Sequence, residues 1–466
     1  MAFIIYDIIL LVLFVIGVSL FLYKKRKNLK KEGLLFLYKT PWGLNLINRV
    51  GTKYPRTLKF FSYVSVFLGY VLMIFVLYLI LKMVWIYLFN LEFVKAIKVP
   101  PIMPIVPYVD KIVPGLPSFY FIYWILILAI IAITHEFAHG IYSVYNKIKV
   151  KSTGFGFFPF FLPVFLAAFV ELDEKKMQKQ KIFPQLSILS AGTFANILTA
   201  IFFLIVMILF FSLAFQPAGV VFDDYVYSAI PISTITMIGN ISFENPTYEE
   251  LILLDDYANV KTRDNEYFEV KDFFDEEFVL VYENSPALLG GLKGAIINID
   301  GKSVQNLEEL KTEIKGKNIG DEIELITKTN EGEEKYEITL GKNPFEENNA
   351  WLGIVFENYN TESIGGKIAE IINSVKDKNV YYEPKFDGVC IFIYNLLWWI
   401  ILISISVALI NMLPVGIFDG GRFFYLTILG LTKNEKIARK SFSLSTSFFL
   451  FLLLLVMFAW FISFFR

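Results

Sequence analysis

Thr134-His135-Glu136-Phe137-Ala138-His139-Gly140 lies inside an apolar run over residues 120–142. That run is long enough to cross a bilayer as a helix. Histidines at i and i+4 share one face of a helix, so the two imidazoles can grip a single zinc ion while the adjacent carboxylate reaches a water beside it. The chain has two histidines in all, and both are in this stretch. A helical histidine is more often a satisfied core residue than a ligand. At hydrocarbon depth, however, ionisable side chains are costly, and a functional site is the default reading.

Composition agrees with a membrane setting. Of 466 residues, 56% are hydrophobic and 17% aromatic, too apolar for an ordinary soluble protein. A formal net charge of −1 offers no global field for a nucleic-acid partner. Cys390 is the single cysteine, which excludes an intrachain disulfide and any Cys-rich metal site. Apolar spans are expected at about 2–23, 60–89, 120–142, 186–215, 389–431 and 442–464. The first carries its basic cluster after the apolar core, so it reads as a span and not as a signal peptide. If each span crosses once, Lys24-Lys25-Arg26-Lys27 and the basic loops 147–151, 175–181 and 433–440 all fall on one side. The positive-inside rule makes that side cytoplasmic and puts both termini outside.

Residues 34–59, with Lys39, Arg49, Lys53 and Arg56, read as a basic amphipathic segment on the cytoplasmic membrane surface. Residues 99–117 are rich in proline, which denies them a helix. His135 lies roughly 18 Å along the helix from Lys147, inside the bilayer. Over residues 153–171, Gly154, Gly156, Pro159 and Pro163 argue for a re-entrant hairpin of strands, whose backbone must be buried in protein or line a cavity. In the fourth span Gly192 and Ala195 permit close helix approach. Asn196 is there an intramembrane polar side chain needing a partner, and by itself reads as a tie between helices.

Residues 216–385 carry 33 of the 44 acidic residues and no span, so they form a separate soluble domain. The order suggested is a strand at 278–282, a short helix after Ser285-Pro286-Ala287, a strand, an Asp300-Gly301 turn, a helix and further strands. Over residues 279–340 this resembles a PDZ domain, a family in which an extended peptide adds to a sheet edge. Residues 225–275 look like an insertion. The fifth apolar stretch is interrupted by Asn411-Met412-Leu413-Pro414-Val415-Gly416-Ile417-Phe418-Asp419-Gly420-Gly421-Arg422. Pro414 and the glycines break the helix. Asp419 lies roughly 21 Å from Lys433 if the chain between is helical, nearly the depth of His135. His135, His139 and Asp419 at one level supply three zinc ligands and leave a fourth position open, the pattern of a catalytic site.

His135-Glu136-x-x-His139 in one span and Asn411-x-x-Pro414-x-x-x-x-Asp419-Gly420 in a later one resemble the site-2 protease family of intramembrane zinc metalloproteases. Residues 191–196 resemble its Gly-x-x-x-Asn element, and Ala168-Phe169-Val170-Glu171 its membrane-embedded strands. The expected fold is an α-helical polytopic membrane protein of about six spans, with a membrane-embedded β-hairpin and an inserted α/β PDZ-like soluble domain. Its order would be N-terminal spans and basic segment (1–118), first catalytic half (119–215), extracytoplasmic PDZ-like domain (216–385) and second catalytic half (386–466). The implied function is cleavage of transmembrane segments of membrane proteins within the lipid bilayer, as in regulated intramembrane proteolysis. One Zn2+ per chain would be held by His135, His139 and Asp419, with Glu136 as the catalytic proton carrier. The resemblance also implies that Asn196, Asn411 and Pro414 position substrate or stabilise the transition state, and that a peptide or substrate tail can bind the PDZ-like domain. Two rivals compete. A metal transporter would need further polar groups spaced across the membrane, and the spans offer few. An inactive relative would have no need of Glu136.

Overall fold

Long apolar segments must close their backbone hydrogen bonds internally to cross a bilayer, and this chain does so with helices. The computed structural model describes residues 2–462 apart from 33–34, 91–93, 95–104, 114, 158–165, 255–256, 274, 330, 345–348 and 357–375. The chain divides into two compact units, Met1–Leu209 with Ile391–Arg466, and Phe210–Cys390. The first contains α1 (Ala2–Lys25), α2 (Leu44–Lys53), α3 (Pro55–Phe89), α4 (Phe121–Tyr145), α5 (Ile182–Ala214), α6 (Val389–Asn411), α7 (Asp419–Thr432) and α8 (Glu435–Ile462), with the ends of α5 and α6 reaching into the second. All but α2 and α7 are long and apolar enough to cross a membrane.

Helix α4 is well buried over its length, with Tyr123, Trp124, Ile127, Ile131, His135 and His139 all in the interior. Its N-terminus is capped by another helix. The Asp7 carboxylate of α1 accepts from the backbone N–H groups of Phe121 (2.6 Å) and Ile122 (3.0 Å) and from the Tyr108 hydroxyl (2.8 Å). The two N–H groups are donors that a helix start leaves unpaired. Toward its C-terminal end α4 receives α2, whose Ile47 packs on Gly140 and whose Gly51 fits against Val144.

Against α4 also lies a four-stranded antiparallel sheet in the order β1 (Leu29–Glu32), β2 (Leu35–Thr40), β3 (Val150–Phe157) and β4 (Leu166–Leu172). The expected hairpin is its β3–β4 half, in the register Thr153↔Val170 and Phe157↔Leu166. The tip with Pro159 and Pro163, and part of the Pro-rich stretch 99–117, lie outside the described residues. Residues 35–59 divide among three elements where one basic amphipathic segment was expected. Residues 35–40 are strand β2, with Tyr38 opposite Phe155, and α3 begins at Pro55. Lys39 reaches across β3 to Glu171 of β4 at 2.6 Å.

The chain between α6 and α7 makes a tight turn at residues 412–418. The groups it frees are taken up by α8: Ser445 Oγ donates to the Pro414 carbonyl (2.9 Å), and the Gly416 N–H donates to Thr446 Oγ1 (3.2 Å). Gly420 and Gly421 allow the first turn of α7 to rest on this backbone. A Cβ on either would lie 2.3 Å from Met412 C or Val415 O.

In the acidic unit, one antiparallel sheet runs Glu333–Thr339, Glu322–Lys328, Ala295–Ile299, Phe215–Val220, Val380–Pro384. Helices Pro286–Leu289 and Leu307–Lys315 and an Asp300-Gly301 turn, both residues at positive φ (49° and 80°), complete the element order expected of a PDZ-like domain. One element has other partners than that order suggests. Strand Phe278–Tyr282 joins a six-stranded sheet made by the insertion, between Tyr227–Pro231 and Glu266–Phe273. The cause is burial: Val279 and Val281 pack with Ile230, Ile235, Ile238, Leu251 and Val260 in a core of the insertion's own.

Candidate active site

His135 and His139 leave α4 on one face, one turn apart, and α7 brings Asp419 to them from the other half of the sequence. The two Nε2 atoms lie 3.0 Å apart, and Asp419 Oδ2 lies 3.4 Å from His135 Nε2 and 3.2 Å from His139 Nε2. Among the described residues this is the group of His, Cys, Asp or Glu able to hold a metal ion. Zinc bonded to nitrogen and oxygen at about 2.0–2.2 Å in a tetrahedron separates its ligands by roughly 3.3–3.6 Å, close to these spacings. Two buried imidazole nitrogens turned on one another beside a partly buried carboxylate are a donor set that asks for a cation. The residues therefore fit zinc.

Helix α5 makes the room. A Cβ on Gly192 would lie 2.4 Å from His139 Nε2 and 2.6 Å from His135 Nε2, so glycine is what lets α5 cross this close. From the same helix, the Ile188 carbonyl accepts from His139 Nδ1 at 2.7 Å. Asn196, one turn beyond Gly192, sits with its amide nitrogen 3.0 Å from His135 Nδ1.

Glu136 is outside the ligand trio and beside it. Its Oε2 accepts from the Val170 N–H of β4 at 3.0 Å. β4 pairs with β3 on one side only, so the edge that meets Glu136 carries no further strand among the described residues. A cleft of about 360 Å³ there is lined by His135, Glu136, Ala168, Asn411 and Asp419. A second of about 360 Å³ runs past His139 and Val170 to Glu174 and Arg422, which form an ion pair at 2.9 Å. A larger cleft of about 900 Å³ belongs to the acidic unit, by Tyr225, Lys328 and Tyr336, and holds none of these groups.

The structure thus gathers His135, Glu136 and Asp419 where two clefts meet, with Asn411 lining one and His139 the other. Asn196 reaches His135 from behind and lines neither cleft. Pro414 is buried in the turn and likewise lines neither. Three contributors are absent from the sequence-based expectation: the Val170 N–H, the Ile188 carbonyl and Asp7. The first two are backbone groups, which carry no residue signal. Asp7 did carry one, as a lone carboxylate inside an apolar span.

Among known families, the chain matches the model of peptidase family M50 over residues 123–456, a stretch that contains His135, Glu136, His139 and Asp419. None of the curated proteins matches it. A similar solved structure is the PDZ domain of an SdrC-like protein from Listeria monocytogenes, 22% identical, over 20% of this chain and 90% of that one. Its TM-score is 0.14, too low to add to the site's reading.

Proposed function

This chain belongs to peptidase family M50, the site-2 protease family, and we propose that it is an intramembrane zinc endopeptidase that cuts transmembrane segments of membrane proteins, the step of regulated intramembrane proteolysis. The observation that carries the reading is the meeting of His135, His139 and Asp419, with Glu136 alongside, on helices of a strongly apolar bundle. These three residues would hold one zinc ion. Bound there, it would supply a Lewis acid that polarises the scissile carbonyl and makes water acidic enough to attack near neutral pH.

The chain's own residues do the rest. Glu136 takes the proton from the attacking water and delivers it to the leaving amine nitrogen. Asn411, on the wall of the cleft, is placed to hydrogen-bond substrate near the reacting carbonyl. A substrate helix has its amides satisfied internally, so it must unwind before it is cut. The edge of β4 that carries no strand among the described residues offers the unwound segment backbone partners, next to the N–H that already serves Glu136. The basic loops face the cytoplasm, while the termini and the acidic unit face outward, an orientation that reporter fusions after Lys151 and near Glu331 test.

Glu136→Gln separates the metal from the proton carrier. It should keep about one zinc per chain and lose turnover by about 10²–10⁴-fold or more. Cleavage at the wild-type rate by this variant contradicts the mechanism.

A further inference from the structure

We infer that Asn196 acts through His135 and not on substrate: the oxygen of its side-chain amide accepts from His135 Nδ1–H and so fixes the tautomer whose Nε2 is free for metal. This rests on the zinc reading above.

Both Nε2 atoms point at Asp419 Oδ2 and at each other, so to ligate a metal both must offer lone pairs, and each ring must carry its proton on Nδ1. His139 meets this condition, because the Ile188 carbonyl at 2.7 Å can only accept. His135 Nδ1 faces the Asn196 amide, 3.0 Å away. The two ends of an amide have nearly one shape, and which is oxygen follows from the hydrogen-bond network. With nitrogen toward His135, the ring would have to carry its proton on Nε2, where it could not ligate. With oxygen toward His135, both rings are ready. Burial does not oppose the turn. The amide oxygen is now buried without a partner among the described residues, and turning exchanges one unpaired atom for another.

Exposure separates this role from transition-state stabilisation. Asn196 is 0% exposed and lines neither cleft at the site, whereas Asn411 shares a cleft wall with Glu136 and Asp419. Spacing explains why asparagine suffices. Gly192 and Asn196 share one face of α5, and the approach that Gly192 permits brings a short side chain within reach of Nδ1.

The test uses the full chain in detergent, with zinc as the probe, titrated against a chelator of known affinity. Asn196→Ala should bind zinc about 10–100-fold more weakly than wild type, the usual effect of losing a partner behind a ligating histidine. Asn196→Asp keeps an acceptor oxygen and loses the donor. It should bind zinc within about threefold of wild type, or more tightly, since carboxylates commonly fill this place. Wild-type affinity in Asn196→Ala, or a loss in Asn196→Asp equal to that in Asn196→Ala, overturns the inference. If Asn196→Ala does not fold, Asn196→Asp decides alone: retained zinc affinity together with retained turnover supports the acceptor role. Loss of turnover with zinc fully bound identifies a donor to substrate instead. Failure of the wild type itself to bind zinc overturns the zinc reading along with this one.

Discussion

Both histidine rings at this site press on Gly192, whose missing side chain is as much a part of the site as the ligands are. An added methyl group would overlap both Nε2 atoms, and the clash is with functional atoms, not with the end of a flexible side chain. Gly192→Ala should therefore weaken zinc binding by at least about tenfold, and overpacking should lower stability by about 1–3 kcal/mol. Chelator competition and thermal unfolding in detergent measure the two; unchanged zinc affinity contradicts this role for α5. Side-chain chemistry made His135, Glu136, His139 and Asp419 legible in the sequence, because ionisable groups clustered at hydrocarbon depth are too costly to be kept for packing alone. Gly192 was visible only as a residue that permits close helix packing. What it packs against depends on a fold that brings α5 onto α4, and no local pattern states that.

The elements themselves were read most readily where the chain is apolar for twenty residues or so, since such a run has one economical structure in a bilayer. Strands β1 and β2 escaped notice because they are short and carry Lys30, Lys31 and Lys39, and because β2 finds its outer partner β3 more than a hundred residues away. Phe278–Tyr282 was legible as a strand while its neighbours were not, because periodicity reports burial and not pairing. The cap on α4 belongs to this scale as well. Tyr120, at the N-cap position, supplies no side-chain hydrogen bond, and Asp7 does so from α1. Asp7→Ala takes the acceptor away from those N–H groups and from the Tyr108 hydroxyl. It should cost about 1–3 kcal/mol, with Asp7→Asn costing less, as read from thermal unfolding in detergent. A midpoint unchanged by Asp7→Ala shows that α4 does not depend on this cap.

At the scale of the molecule, the described residues of the acidic unit are not among the metal trio, and we propose that this unit acts on which substrates arrive. Strand Phe278–Tyr282 has both edges paired, so a substrate tail cannot add there. The unit is also tethered to long apolar helices at both ends, after α5 and before α6. Both facts favour exclusion of bulky substrates over recruitment of their tails. Replacing residues 221–353 with a short flexible linker should leave cleavage of a short, tail-free substrate intact and raise cleavage of the same substrate carrying a folded exterior domain. Loss of the short substrate's cleavage, in a variant that still folds and binds zinc, supports recruitment instead.

Zinc-dependent hydrolysis within a transmembrane segment is the central claim. Mass spectrometry of a model transmembrane substrate, incubated with the purified chain in detergent, tests it most directly. The expected result is a cut inside the apolar segment that stops with chelator, returns with added zinc and is absent with Glu136→Gln. A cut that persists in chelator, or that falls only in the substrate's soluble tails, contradicts it.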